Sequence, residues 1–458
     1  MDSLGLLSLI PIIVILVLSV WTKETFMSIV AGVVVGYLMI EHGHPLKAFN
    51  SFLDGLYSVL MAENTVWVLM LVALFGSLIM LMKESGGVMG FSNLAHKVMK
   101  TRKASMIGTW VLGIIIFVDD YLNCLAIGAA VRDITDKHKV SREMLAYIVN
   151  STGVTDCAAI PISSWAAYMG ALMVTANMTG GLSQFSAYVH TMPFIVYGWL
   201  AVLCVPLFCL GVIPLFGPMK RAEQRAQETG QTLSDISKAA LVELPEEEKK
   251  FEGKKCNVLN FLIPILVVAV FTVITEDILL GLFAAVGVCL VMYLPQRLMS
   301  IKGFFKHLVG GMVDMFPMLI LIAVSYMLID VNTKLGLVDY VVKVALNNVN
   351  PAFLPVTIFV VIGLLSFASG SFWGLAAIAF PIVGPLAAAL GVSPFLCAGA
   401  LISSVCFGGH ICMYSDTVIL TSASTQVTNA EYFRTSAPLV AVPFALSAIV
   451  FLILGFAI

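Results

Sequence analysis

Charged side chains are scarce in this chain. Only 11% of its 458 residues are Asp, Glu, Lys or Arg, 60% are hydrophobic, and the mean hydropathy is +0.99. Soluble proteins carry about a quarter of their residues as charges. The composition therefore excludes a soluble globular enzyme and a disordered chain, and a net charge of -2 gives no attraction for nucleic acid. We expect an all-α polytopic membrane protein that is not an enzyme and binds no nucleic acid.

Two further features are missing. The nine cysteines contain no CxxC pair and no Cys/His spacing typical of a metal site, so we interpret them as small hydrophobic residues. The N-terminus has Asp2 and no basic stretch before its first apolar run, so no cleaved signal peptide is expected and the first run should remain as a span. No cofactor is expected.

The few charges predict the topology. At roughly 20 residues per span the chain has room for about ten to thirteen spans. About a third of the charged residues lie in 217–256, which we interpret as a solvated cytoplasmic linker. Basic clusters at 96–103, 132–142 and 296–306 should also face the cytoplasm. Both termini are then extracellular or periplasmic, in a bacterial-type inner membrane.

Two kinds of interrupted segment are expected. The apolar stretch 104–131 has basic residues at both ends, which a re-entrant helical hairpin with its tip in FVDDYLN would explain. A long broken helix follows at about 141–178. The second half shows a hairpin at about 353–390 and a broken helix at about 393–427. The remaining predicted elements include single spans at 54–82 and 309–330 and surface helices at 87–100 and 336–348.

The two halves resemble each other weakly. GIIIF at 113–117 aligns with GLLSF at 363–367, and the run from Ser141 aligns with the run from Ser393 at an offset of 252. The charge bias gives the halves opposite orientations. We therefore predict two inverted-topology repeats, 1–216 and 257–458, each with about five spans plus a hairpin and broken helices that meet near the midplane.

The first hairpin tip carries carboxylates where lipid is expected. Asp119, Asp120, Tyr121 and Asn123 lie there, followed by an apolar arm. Carboxylates at membrane depth are costly and persist mainly where they face a cavity and bind something. The alternative is a shallower tip with solvated aspartates.

Polar residues also interrupt the first broken helix. Pro161 should unwind the backbone before it, which exposes carbonyl groups for a cation and helix N-terminal amides for an anion. The alternative is a kinked helix whose Ser and Thr side chains bond to their own backbone. The polar residues of this segment are Asn150, Ser151, Thr152, Thr155, Asp156, Ser163 and Ser164.

The second half repeats the polar breaks with less charge. Its hairpin tip has Ser369, Gly370 and Ser371 and no carboxylate. Two roles are open for His410, a proton shuttle or a bond to a backbone carbonyl. The break in the second broken helix contains Gly408, Gly409, His410, Ser415, Asp416 and Thr417.

These motifs resemble a known family. FVDDYLN, the SREMLAYIVNST run ending in PISSW, SGSFWG and SDTVILTS are similar to the NhaC-type sodium/proton antiporter family of the ion-transporter superfamily, over about 60–430. The resemblance implies sodium-coupled transport and suggests a homodimer. Gly409 stands where family members usually have an aspartate, and Tyr414 replaces the residue before SDT. This departure favours an organic solute pocket over a pure cation exchanger.

Three functions follow, each with its own test. The first is exchange of Na⁺ for H⁺ by alternating access. The second is Na⁺-coupled movement of a small organic solute such as an amino acid or carboxylate, and the third is an ion channel. The expected partners are membrane lipid, Na⁺, H⁺ and such a solute. The predicted ion ligands are Asp119, Asp120, Asn123, Ser151, Thr152, Asp156 and Asp416. The predicted substrate-binding residues are Ser163, Ser164, Ser369, Gly370, Ser371, Gly409, His410, Tyr414, Ser415 and Thr417.

Overall fold

The computed structural model describes most of the chain as helices. The described residues are 5–22, 25–87, 90, 98–239, 257–275, 277–337, 340, 350–370, 372–413 and 415–457. No strand occurs within these ranges, which confirms the predicted all-α class. Two surface helices are predicted at 87–100 and 336–348, and most of their residues lie outside the described ranges.

The helices of the first half are separated by short breaks. A 3₁₀ turn, Gly5–Leu9, precedes the first of them. The helices are α1 Ile10–Thr22, α2 Thr25–Ile40, α3 Pro45–Met61, α4 Glu63–Glu84, α5 Arg102–Ile115, α6 Asp120–Lys137, α7 Arg142–Ala159, α8 Ser164–Thr175, α9 Gln184–Thr191, α10 Val196–Leu210, α11 Gly217–Thr229 and α12 Asp235–Ala239.

The second half follows a similar order. The segment before Gly370 combines 3₁₀, α and π turns. The helices are α13 Leu259–Thr275, α14 Ile278–Tyr293, α15 Ile301–Asp314, α16 Phe316–Lys334, α17 Leu354–Thr357, α18 Gly363–Ser369, α19 Phe372–Leu390, α20 Pro394–Ile411, α21 Asp416–Thr425 and α22 Asn429–Ala457.

Four predicted breaks are present. The helices are interrupted at 116–119, at 160–163, at Gly370 and at 412–415. Two predicted single spans are wrong: 54–82 is divided at Ala62 between α3 and α4, and 309–330 is divided at Met315 between α15 and α16. Glu63 and Asn64 follow the first interruption, and Asp314 and Pro317 flank the second. Each signal is short and lies within a long apolar run, so hydropathy alone predicts one continuous span in both places.

Fewer helices than expected are long enough to cross a membrane alone. Among the described residues five qualify, or up to eight if each bent pair counts as one span. Further apolar helices, such as Leu259–Thr275 and Ile278–Tyr293, are shorter. Ten to thirteen spans are expected when each apolar run is taken as one continuous helix. The folded chain divides several of these runs into short helices.

The packing sorts the helices into two groups that each draw on both halves. The scaffold group, α1–α4 with α13–α16, is joined through α4 against α15 and α2 against α16. The core group, α5–α10 with α17–α22, is joined through α6 against α21 and α7 against α20. The groups meet mainly where α4 contacts α8 and α16 contacts α19. The functional residues therefore lie in a core built by both halves.

The start of the charged segment is not a solvated linker. Its described part, 217–239, forms α11 and α12, and α11 packs on α7 and α22. The backbone N–H of Ser141 donates to Glu223 at 2.7 Å, and Arg225 donates to both carboxylate oxygens of Glu143 at 2.9 Å. The reason is amphipathic spacing: Met219, Ala222, Glu223 and Ala226 share one buried face.

Candidate functional site

The first hairpin break places two carboxylates at the start of α6. Asp119 is the N-cap residue, and its Oδ1 accepts a hydrogen bond from the Leu122 N–H at 2.9 Å. Aspartate is a preferred N-cap, and negative charge is favoured at a helix N-terminus. Asp119 and Asp120 are 3% and 1% exposed. The alternative of a shallow tip with solvated aspartates is therefore wrong for both side chains.

The break at 116–119 contacts the break at 160–163. The Ser164 N–H donates to the Val118 carbonyl at 3.0 Å, and the Cys157 thiol donates to the Phe117 carbonyl at 2.9 Å. Trp165 Nε1 donates to Asp120 Oδ2 at 2.9 Å. These bonds fix the carboxylates against the first turn of α8.

Some buried oxygen atoms near these breaks accept no hydrogen bond from the described residues. Asn123 donates through Nδ2 to the carbonyls of Gly113 at 2.8 Å and Ile116 at 3.1 Å, at the C-terminal end of α5. Within the described residues, Asn123 Oδ1 and Asp156 Oδ2 accept no hydrogen bond. Buried acceptors without partners are uncommon, and they are suitable ligands for a cation or a water molecule.

A small cavity adjoins the two aspartates. It has about 20 Å³ of free space for water-sized molecules, enough for one water or a small ion. Among the described residues, no Lys, Arg or His nitrogen lies within salt-bridge distance of either carboxylate. Two adjacent buried carboxylates cannot both be ionised cheaply without a cation. The polar and aromatic residues that line it are Asp119, Asp120, Tyr121, Ser164 and Trp373.

The cavity connects the first half to the second. The Tyr121 hydroxyl donates to Asp416 Oδ2 at 2.8 Å, and Trp373 Nε1 donates to the Tyr121 hydroxyl oxygen at 3.3 Å. The Asp416 side chain is exposed. Trp165 also stacks on Phe372 with ring centroids 5.0 Å apart. The site expected from the sequence does not include these aromatic residues, although DDY, SSW and SFW contain all of them.

Several predicted ligands serve the helices themselves. Thr152 Oγ1 donates back to the Ile148 and Val149 carbonyls, Ser163 and Ser415 cap α8 and α21, and Thr417 donates to the Gly409 carbonyl at 2.9 Å. Gly370 ends α18 with a φ of 73°, and Gly409 lies against Phe372 and Val154. These contacts agree with the alternative in which Ser and Thr bond to their own backbone. Three predicted ligands have no described side chain: Ser371 and Tyr414 lie outside the described residues, and so does the side chain of Ser369.

A second buried network crosses between the halves at His410. The Tyr197 hydroxyl lies 2.8 Å from Nδ1, and the Ser151 hydroxyl lies 2.9 Å from Nε2. The His410 carbonyl accepts from Asn150 Nδ2 at 2.7 Å and from the Tyr432 hydroxyl at 2.8 Å. The imidazole therefore bonds to two side-chain hydroxyls, and the network locks α7, α10, α20 and α22 together.

Close contact between α6 and α21 depends on Gly128. A Cβ atom there would lie 2.7 Å from Ser424 Cβ, at a contact where Arg132 Nη1 donates to the Ser424 carbonyl at 3.1 Å. Gly128→Val should therefore lower the free energy of unfolding by about 1–3 kcal/mol, measured by thermal unfolding in detergent. Gly287→Val is the control, since no atom lies within 4 Å of a Cβ at 287. Equal unfolding temperatures for the two variants would contradict the packing.

A bundle of broken apolar helices with buried carboxylates at a break defines a membrane transport protein. The model of the Na⁺/H⁺ antiporter family matches residues 157–456. The match covers more than half of the chain, and the chain belongs to this family. It is therefore a multi-pass ion-coupled transporter, and the family implies Na⁺ and H⁺ as the transported ions.

Related proteins agree with this membership. The chain is 25% identical over 488 residues to a protein of Haemophilus influenzae described as uncharacterized, covering 98% of this chain and 91% of that protein. It is also 28% identical over 121 residues to the malate-2H⁺/Na⁺-lactate antiporter of Bacillus subtilis, which covers 26% of each chain.

Two solved transporters share the fold. The YdaH transporter of Alcanivorax borkumensis superposes with a TM-score of 0.58 at 13% identity, covering 90% of this chain and 89% of that one. MtrF of Neisseria gonorrhoeae, described as one of a class of antimetabolite efflux pumps, superposes with a TM-score of 0.51 at 14% identity, covering 91% and 85%. At this identity the likeness concerns the fold alone.

Proposed function

We propose that this chain is an NhaC-type transporter that exchanges Na⁺ for H⁺ at Asp119 and Asp120 by alternating access. The observation that carries the proposal is the pair of buried carboxylates beside a cavity of ion size, with no cationic side chain at salt-bridge distance in the described structure. A bound Na⁺ or a proton would relieve the repulsion between the two carboxylates. Competition between the two ions for one site is the simplest basis for antiport.

Matching helix breaks support the inverted repeats and the alternating access. Both α7 and α20 have 18 residues, and their N-caps, Ser141 and Ser393, are separated by the offset of 252 found in the sequence. The second parts of both broken helices begin after capping serines, Ser163 and Ser415, at the same offset. Paired broken helices in two halves are typical of carriers whose repeats move relative to each other.

Na⁺-driven proton movement tests the proposal. Purified full-length protein in liposomes with an imposed pH gradient should dissipate that gradient on addition of NaCl, measured with a pH-sensitive dye. Potassium chloride at the same concentration is the control for ionic strength. The absence of any sodium-dependent change would refute the exchange, and single-channel currents in a planar bilayer would indicate a channel instead.

Coupled transport of an organic solute is a second candidate. It is favoured by a larger cavity that also borders α8, with about 320 Å³ of free space, a volume at the lower end for small-molecule sites. With Asp277 and no Lys, Arg or His among its described lining residues, this cavity suits a neutral or cationic solute better than an anion. The Bacillus subtilis relative is named for moving lactate and malate with its ions. A solute-dependent uptake of ²²Na⁺ across a panel of amino and carboxylic acids would separate this candidate from simple exchange.

A further inference from the structure

The larger cavity lies where the scaffold and core groups meet. Its walls come from α4, α14 and α16 on one side and from α8 and α9 on the other. Pro161 and Ala167 are among its lining residues, and Asp277 lies at the start of α14. None of the residues predicted from the sequence to bind substrate lines it. The cavity is therefore a site that the motif pattern does not indicate.

The charge of the lining selects the sign of a ligand. Among the described residues of the lining, Asp277 is the one carboxylate and there is no Lys, Arg or His. Asp277 Oδ1 accepts from the Leu279 N–H at 2.9 Å, whereas no hydrogen bond to Oδ2 is seen within the described residues. An organic anion would enter this cavity without a cationic partner, at a high desolvation cost. A cation would instead pair with the Asp277 carboxylate.

Three other polar side chains of the lining are already bonded to the protein. Tyr188 donates to the Ala158 carbonyl at 2.7 Å, Gln184 donates to the Ala167 carbonyl at 2.9 Å, and Thr175 donates back to the Leu172 carbonyl at 2.9 Å. A sugar-like ligand with many hydroxyls would have few partners. The remaining surface is aromatic and aliphatic, with Trp67 and Tyr326 among its rings. Such rings favour an apolar body and attract an ammonium group.

We infer that this cavity binds a small organic monocation, an amine with an apolar body, whose ammonium group pairs with Asp277 while its body packs against Trp67 and Tyr326. The role of this ligand as a transported solute rests on the proposed function, whereas its binding does not. Ala167 borders both this cavity and the smaller cavity at Asp119 and Asp120. Residues of α8 therefore line both cavities, so a ligand-dependent shift of this helix would couple them.

Three probes of similar shape test the sign of the charge. Purified full-length protein in detergent is titrated with isoamylamine, isoamyl alcohol and isovalerate, and binding is measured as a concentration-dependent rise in unfolding temperature. The amine should stabilise the protein, and the alcohol and the carboxylate should bind at least about tenfold more weakly, a difference of about 1.4 kcal/mol. Stronger binding of isovalerate, or no stabilisation by the amine, would overturn the inference.

Two variants locate the binding. Asp277→Asn keeps an N-cap oxygen for α14 and should weaken isoamylamine binding about tenfold or more, whereas Asp133→Asn, whose side chain is 87% exposed, should leave it unchanged. Trp67→Leu gives a second measurement and should also weaken binding. Unchanged affinity in both cavity variants would place the amine elsewhere and refute the site.

Sodium separates this inference from the proposed function. If Na⁺/H⁺ exchange is absent but Asp277 still determines amine binding, the proposed function fails and the amine site stands. If exchange is present and Asp277→Asn leaves amine binding unchanged, the proposed function stands and the amine site fails. Coupling through α8 would make the affinity for the amine depend on the sodium concentration. Asp120→Asn should abolish this dependence.

Discussion

Asp119→Asn and Asp120→Asn should each reduce Na⁺-driven proton exchange to the rate of protein-free liposomes. Asparagine has nearly the same size as aspartate and also caps helices well, so α6 should still begin at the same residue. In Asp120→Asn, the amide oxygen of the new side chain would still accept the Trp165 hydrogen bond seen at 2.9 Å. What each substitution removes is one negative charge and one group that a proton and Na⁺ compete for.

The measurement needs a fold control and a charge control. Each variant should elute as a monodisperse peak and unfold within a few degrees of the wild type. Asp133→Asn on the same helix removes an exposed carboxylate, 87% exposed at its side chain, and should transport normally. Retained sodium dependence in both Asp119→Asn and Asp120→Asn would mean that the ion binds at another place, and the unpaired Asp156 would then be the next carboxylate to replace.

His410→Leu should lower the free energy of unfolding by about 2–5 kcal/mol. The substitution leaves the Tyr197 and Ser151 hydroxyls, both fully buried, without the imidazole that they contact, and each buried polar group without a partner costs about 1–3 kcal/mol. The size of the effect is measured by chemical or thermal unfolding in detergent. His190→Leu on α9 replaces an exposed histidine and should have little effect.

A second variant decides between the two roles that the sequence leaves open for His410. Glutamine offers a donor and an acceptor but no titrating group near neutral pH. If the histidine interlocks helices, His410→Gln should restore part of the stability lost in His410→Leu and keep the pH profile of transport. A pH profile displaced or flattened in His410→Gln would instead identify His410 as a proton carrier.

The sequence predicts helix breaks better than helix lengths. Breaks with Asp, Ser, Gly or Pro, such as those around Asp119, Ser163 and Gly370, are expected from propensity and are present. The break at Met315 lies between Asp314 and Pro317, but these two residues stand alone in a long apolar run, and hydropathy predicts one continuous span there. The polar composition of the charged segment 217–256 indicates a solvated linker. In the structure α11 nevertheless has a buried face, because it packs on α7 and α22.

Composition and charge alone determine that this chain is a helical membrane protein, because lipid requires apolar side chains and internally bonded backbone. Motif residues alone locate the buried carboxylates Asp119 and Asp120, since an acidic pair in an apolar run persists mainly where it binds an ion or a ligand. Only the tertiary structure decides that the aromatic residues Trp165 and Trp373 border that pair, and that Asp277 lines a separate cavity. Such contacts join residues more than 40 positions apart in the chain, and hydropathy and helix propensity describe each segment only by itself.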